Sequence, residues 1–377
     1  MVKYKFIETR TELENIAALF ETEDIVAVDL EADSMFHFKE KVCLIQMASK
    51  NHTAVIDPLQ IDDLSSLKPL FANTDIRKIF HGSDYDVRSL HRDYGIEIKN
   101  LFDTELASRF IGVPETGLSS VLQKRFGVQL DKSYQKKDWS KRPLPIEMLD
   151  YGISDVAYLL QLADILDSEL EEKKRTTWVS EECELLSRVR VPELNGAPLF
   201  LKIKGAGRLD RRALCTLEYL LEMRQKIAEK KDKPLFKIFS NSSLLTLAKE
   251  RPLSLQGLSR TKAMSSKQIS YFGTGMIEKI EMAQATPEKD LPIYPRKRKP
   301  AIRPEIPGIT QKIKDWRDKI AIELELDPPI LFNKALLTAI AVRKPRALID
   351  LDDIAGLKKW QKNEFGDGII QLLKTVK

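Results

Sequence analysis

The pattern of apolar and polar positions changes character along the chain. Short apolar, β-branched runs dominate the early part: residues 24–30 (DIVAVDL), 42–48 (VCLIQMA), 53–56 (TAVI) and 77–80 (RKIF) read as strands. Apolar spacing of three and four residues predicts helices over 11–20, 64–71, 84–94 and 118–126, and one long helix from about 145 to 173. Strands first and helices later imply a mixed sheet with helices packed on it. Beyond about residue 190 the pattern is helical only. The stretches 191–200 (VPELNGAPLF) and 291–308 (LPIYPRKRKPAIRPEIPG) are rich in proline and read as connections.

The helical part repeats itself. MRQKIA at 223–228 recurs as WRDKIA at 316–321, LLTLA at 244–248 as LLTAIA at 336–341, and RPLSLQGL at 251–258 as KPRALIDL at 344–351. The offsets, 92 or 93 residues, agree with one another and imply two copies of a small helical domain. The expected layout is a catalytic-type α/β domain over 1–190, a linker over 191–207, helical domains over 208–288 and 308–377, and a basic Pro-rich linker over 289–307.

Charge divides the chain at the same place. The net charge of +5 conceals 25 basic against 34 acidic residues up to position 190, and 36 against 22 beyond it. An acidic half joined to a basic half suggests that the second recruits a polyanion. With 43% hydrophobic and 31% charged residues the 377-residue chain reads as globular. No apolar run reaches the roughly 20 residues of a membrane span, and the opening MVKYKFIETRTELENIAALF lacks the apolar core of a signal peptide. Cys43, Cys183 and Cys215 lie far apart, which excludes a Cys-based zinc site, fits a reducing cytoplasm and suggests packing roles. No GxxxxGK[ST] loop is present, so nothing supports a nucleotide-driven helicase.

Three motifs carry candidate chemistry. In IVAVDLEAD, Asp29 and Glu31 stand two apart at a strand end and so share a face. Two such carboxylates repel unless a cation or donors compensate, and hard divalent metals prefer oxygen ligands. In KIFHGSDYDVRSL a strand runs through a glycine turn into a helix, with Ser83 or Asp84 placed to cap it and Asp86 placed to look across the strand ends. In LDYGISDVAYLLQLADIL, Tyr151 and Asp155 are four apart and stack on one helix face. Each motif alone is also a common feature of solvated strand ends and helix edges.

Together, Asp29, Glu31, Asp86, Tyr151 and Asp155 follow in order with 55 and 65 residues between the three groups. This constellation resembles the DEDD 3′–5′ exonucleases, in the subgroup with tyrosine in the third motif. LDKSYQKKDWSKRPL at 130–144 and KIKGAGRL at 202–209 resemble ribonuclease D segments, and the two repeats resemble HRDC domains. The resemblance implies a ribonuclease H-like mixed-sheet domain followed by two small all-α domains. It further implies a monomeric, cytoplasmic 3′–5′ exoribonuclease that trims structured RNA such as tRNA precursors, using two divalent ions, Mg²⁺ or Mn²⁺. Asp29, Glu31 and Asp155 would ligate one ion and Asp29 would bridge to the second. Asp86 would hold that second ion largely through water, and Tyr151 would contact the attacking water. Ala32 stands where the family commonly has phenylalanine.

RNA contacts are expected from Lys136, Lys137, Trp139, Lys141 and Arg142, and from the tether Arg296, Lys297, Arg298 and Lys299. Trp139 could stack on a base, although a tryptophan is more often a packing anchor. His81 and His91 flank the second motif and read as structural, whereas His37, after Glu31, is a candidate substrate contact. A DNA-directed exonuclease shares these motifs. A non-catalytic RNA-binding scaffold would be expected to have lost a carboxylate, and all four are present.

Overall fold

The computed structural model describes residues 3–192, 196–295 and 303–375. Contacts divide the chain into two compact units, the first comprising residues 1–32, 42–191 and 301–377, the second 33–41 and 192–300.

The first unit is built on a six-stranded sheet: β1 (Lys5–Ile7), β2 (Ile25–Ala32), β3 (Val42–Ala48), β4 (Thr53–Ile56), β5 (Arg77–Phe80) and β6 (Leu101–Asp103), in the order β1-β4-β3-β2-β5-β6. The β2–β3 and β3–β4 pairs are antiparallel and the other three parallel. All seven residues of β3 are buried, so both faces of this strand are covered. The helices are α1 (Arg10–Phe20), α2 (Leu67–Ala72), α3 (Asp84–Tyr94), α4 (Thr104–Phe110), α5 (Leu118–Phe126), α6 (Ile146–Val156), α7 (Leu159–Glu172) and α8 (Thr176–Ser187).

The long helix expected over 145–173 is two helices, broken at Ala157–Tyr158. Apolar residues run straight through the break, from Ile153 and Val156 to Leu159 and Leu162, so the pattern hides it. The break is needed because α6 packs on β2, β3 and β4, whereas α7 packs on β2 and β5. Helices serving opposite sides of a twisted sheet diverge.

The second unit contains α9 (Arg211–Lys230), α10 (Leu235–Ile238), α11 (Asn241–Glu250), α12 (Leu255–Arg260) and α13 (Ser266–Ala285) around Leu217, Leu220, Phe239, Leu247, Met276 and Ile280. The expected linker 191–207 is partly built into this core: Phe200, Ile203 and Ala206 are buried and two short 3₁₀ turns form at Leu199–Lys202 and Ala206–Arg208. Leu291 likewise packs on Cys215 and Ala283, so the connection expected from 289 begins inside the fold. Residues 33–41, which join β2 to β3 in sequence, also belong to this unit. There His37 Nδ1 lies 2.6 Å from Asp232, and Phe38 N donates to the same carboxylate at 3.0 Å. The interactions of His37 thus include a protein carboxylate.

The remaining helices, α14 (Ile306–Glu323), α15 (Pro328–Leu331), α16 (Lys334–Arg343) and α17 (Lys359–Lys374), return to the first unit. They reproduce the helical repeat at an offset of 93. Arg224 donates to the carbonyl of Phe239, and Arg317 to that of Phe332. Gln268 donates to Ile238, and Gln361 to Leu331. The turns after α11 and α16 both end in a left-handed residue, Arg251 (φ 50°) and Lys344 (φ 49°). Within the first unit, Trp360 of α17 stacks on Trp178 of α8 with centroids 4.7 Å apart, and Lys358 Nζ and Trp360 Nε1 both reach Glu182. The cysteines are buried, as expected of packing residues. No helix among the described residues is long and apolar enough to cross a membrane.

Candidate active site

Period-2 geometry puts Asp29 and Glu31 on one face of β2. A register shift between Glu31 and Ala32 then bends the strand away after the second carboxylate. Helical spacing puts Tyr151 and Asp155 on one face of α6, which packs over β2. The outcome is a convergence of carboxylate oxygens from Asp29, Glu31 and Asp155 within 4.8 Å of one another.

Asp86 is carried by α3 and is 7% exposed. Its placement depends on the turn before it. Gly82 (φ 74°) and Ser83 donate their N–H groups to Asp103 at 3.0 and 2.7 Å, and Ser83 Oγ adds a third bond at 2.8 Å. A side chain at Gly82 would meet Glu105 Oε2 at 2.7 Å. Ser83 occupies the cap position but its hydroxyl serves Asp103, and Asp84 pairs with Arg88 at 2.7 Å, so neither side chain caps the helix.

The electrostatics are those of crowded acids. Burial pushes the Asp29 carboxyl up to about 7, opposed by the N–H of Leu30. Burial, then Asp29, Asp155 and Asp86, raise Glu31 to about 10. Burial and Asp29 raise Asp155 to about 8, partly offset by a hydrogen bond from Tyr151. Asp86 is also raised, by burial and then by Asp29 and Asp103. Tyr151 is pushed upward by burial and by Asp155, Glu31 and Asp29, so its phenol stays protonated at neutral pH. Four buried acids, three of them raised further by neighbouring carboxylates and none with a basic partner among these causes, resist ionisation together. A divalent cation fits that donor set.

Asp29, Glu31, Tyr151 and Asp155 line a cleft of 380 Å³. Its other walls include His81, Ser119, Ser120, Lys132 and Gln135, none of which the motif pattern marks as a substrate contact. Lys132 and Gln135 sit within the LDKSYQ segment and His81 within the second motif; Ser119 and Ser120 carry no sequence signal. His81 Nδ1 is 2.9 Å from Thr104 Oγ1, consistent with a structural role for the ring.

The loop between α5 and α6 divides the expected RNA contacts. Lys136, Lys137 and Lys141 are exposed. Trp139 is a correction: it is 1% exposed and its ring lies 6.0 Å from that of Tyr151, so it packs beneath the tyrosine instead of presenting a face to a base. Arg142 is a second correction. Its guanidinium is bidentate on Asp57 and also donates to the carbonyl of Cys43 at 2.8 Å, which commits it to the protein interior. Arg296, Lys297, Arg298 and Lys299 lie outside the described residues.

Comparison with known proteins places this site in a family. A 3′–5′ exonuclease family model matches residues 4–171, and an HRDC domain model matches twice, at 215–280 and 307–373. Ribonuclease D of Bartonella henselae is 27% identical over 376 residues, covering 98% of this chain and 90% of that protein. The chain thus pairs a 3′–5′ exonuclease domain with two HRDC domains and is similar to ribonuclease D over nearly its whole length. Protein RRP6-like 1 of Arabidopsis thaliana is 27% identical over 99% of the chain, which spans 57% of that longer protein. The crystal structure of Escherichia coli RNase D shares the fold, with a TM-score of 0.74, 24% identity and 99% of each chain covered. The mixed sheet with packed helices followed by helical domains is therefore an architecture the two chains share.

Proposed function

We propose that this ribonuclease D-like chain removes nucleotides one at a time from the 3′ ends of structured RNA, tRNA precursors among them, by metal-dependent phosphodiester hydrolysis. The observation that carries this reading is the convergence of Asp29, Glu31 and Asp155 within 4.8 Å, each raised by burial and the last two also by neighbouring carboxylates. Three buried carboxylates held this close need a compensating cation or donors to ionise together, and a divalent cation suits three oxygen ligands. In this reading Asp29, Glu31 and Asp155 hold one Mg²⁺ or Mn²⁺, and Asp29 with Asp86 holds a second. Two such ions supply charge neutralisation of the phosphodiester and a water acidic enough to attack at neutral pH.

The chain's own groups then orient the reaction. Tyr151, protonated and beside Asp155, lines the cleft where it can hold the attacking water by a hydrogen bond. It is too weakly acidic to serve as the base. Exposed Lys136, Lys137 and Lys141 are available to phosphates of the entering strand. The basic second half and its HRDC domains suit capture of the RNA body. Escherichia coli RNase D, which shares the fold, is an exoribonuclease involved in structured RNA processing, and this supports the same substrate class here.

The test compares kcat/KM on a 3′-extended tRNA, the matching mature tRNA, single-stranded RNA and the same sequence as DNA, each with Mg²⁺ or Mn²⁺. Preference for the extended tRNA supports the reading. Equal turnover of DNA would favour a general exonuclease.

A further inference from the structure

β3 reads VCLIQMA, and Gln46 is the one polar residue in it. It is fully buried, and neither its Oε1 nor its Nε2 has a hydrogen-bond partner among the described residues. A buried carboxamide with all its donors and its acceptor unmatched is costly and uncommon, so its location is informative.

Two neighbours define that location. Across the sheet, Gln46 is directly opposite Asp29. Opposed residues of an antiparallel pair project from the same face, with Cβ atoms roughly 4.5–5.5 Å apart. On the other side is α6, where a Cβ at Gly152 would lie 2.6 Å from Gln46 Nε2. Glycine at 152 therefore admits the amide between the strand that carries Asp29 and the helix that carries Tyr151 and Asp155. The carboxamide is wedged at the joint of the two elements that form the site. A larger residue at 152 or an apolar one at 46 would fill the same space without leaving polar atoms bare.

We propose that Gln46 is a positioning residue for Asp29, donating a hydrogen bond from Nε2 to that carboxylate when it holds a divalent cation. The inference rests on the reading of Asp29 as a metal ligand. A ligating carboxylate has an oxygen lone pair left over. Groups that bond to it fix its orientation, and their loss typically weakens metal binding about 10- to 100-fold.

Gln46→Met tests this in the full-length chain, because methionine keeps the length and volume but cannot donate. The probe is Mg²⁺ alone, read as the rise in Tm with concentration and by calorimetric titration. The expected result is a metal-free Tm equal to or above that of wild type, since an unmatched amide has been removed, together with 10- to 100-fold weaker Mg²⁺ binding. Unchanged Mg²⁺ affinity would overturn the proposal, as would a lowered metal-free Tm with normal affinity, which marks a packing residue. Gln46→Leu gives a second reading of the same quantities should the methionine variant not fold. Failure of the underlying reading looks different: wild type itself would show no Mg²⁺-dependent rise, or Asp155→Asn would keep it, and the proposal would fall with it.

Discussion

Tyr151 and Asp155 lie one helical turn apart on α6 and line the same cleft, burial and then the carboxylate holding the phenol upward from its ordinary value. The pairing sets the residue proposed to orient the attacking water beside a candidate metal ligand, and burial with the neighbouring carboxylates keeps the phenol protonated. Tyr151→Phe should therefore lower kcat about 100-fold through lost orientation, with Mg²⁺ affinity and RNA affinity changed by less than about 3-fold. The pH–rate profile should keep its shape, because the tyrosine does not titrate in the working range. Single-turnover rates across pH check this, and loss of a limb in the variant would show the phenol acting as a base.

The raised carboxyls predict how metal-free stability depends on pH. Asp29 at about 7, Asp155 at about 8 and Glu31 at about 10 hold protons that the unfolded chain has already released. Their contribution is full below about pH 4 and is lost as pH rises through the folded values. In EDTA, Tm should fall between pH 5 and 9, and Glu31→Gln should raise Tm more at pH 9 than at pH 5. Mg²⁺ should raise wild-type Tm more at high pH, since binding releases protons. Calorimetry in paired buffers measures both effects, and a pH-independent gap between wild type and Glu31→Gln would contradict them.

Arg142 and the neighbouring lysines should separate in a mutational series. Arg142 is paired with a fully buried Asp57, so Arg142→Ala should cost about 3–5 kcal/mol by stranding that carboxylate. Lysine should not rescue it, lacking the bidentate fork. Lys136→Ala and Lys137→Ala should change stability by less than about 0.5 kcal/mol. Each lysine that contacts phosphate should reduce the salt slope of RNA binding by about 1. Urea unfolding and salt-titrated RNA binding give the two readouts.

The second helical repeat should behave as part of the first unit. Trp360 stacks on Trp178 and Phe110 lies 5.5 Å from Trp360, so Trp360→Ala should cost about 3–5 kcal/mol. Removal of residues 301–377 should expose that aromatic surface and lower the Tm of the sheet. Near-ultraviolet circular dichroism of the truncated chain checks it, and an unchanged transition would show the repeat to be an independent module.

Much of the site is legible in the sequence because its residues obey local periodicities. Asp29 and Glu31 share a face by the period of a strand, Tyr151 and Asp155 by the period of a helix, and no tertiary knowledge is needed to pair them. Their convergence requires the family resemblance, since spacing alone places three motifs without saying that they meet. β1 and β6 are three residues each, too short for alternation to register. Trp139 and Arg142 escape a local reading because a basic, aromatic run does not reveal which side chains turn inward. Phosphate and Asp57 offer Arg142 the same bidentate geometry. Gln46 is inconspicuous inside an apolar run, and only the register opposite Asp29 gives it meaning. The grouping of α14–α17 with the sheet rests on Trp178 and Trp360, 182 positions apart, a pairing no local pattern encodes.

The most direct test of the central claim is end-resolved hydrolysis by wild type and Asp155→Asn. RNA labelled at the 3′ end is incubated with Mg²⁺ and with EDTA, in parallel with the same RNA labelled at the 5′ end. The account predicts that wild type releases labelled mononucleotide from the 3′-labelled RNA and shortens the 5′-labelled RNA one residue at a time. EDTA should abolish both, and Asp155→Asn should bind the RNA but not cut it. Internal cleavage, turnover in EDTA, or full activity of Asp155→Asn would contradict it.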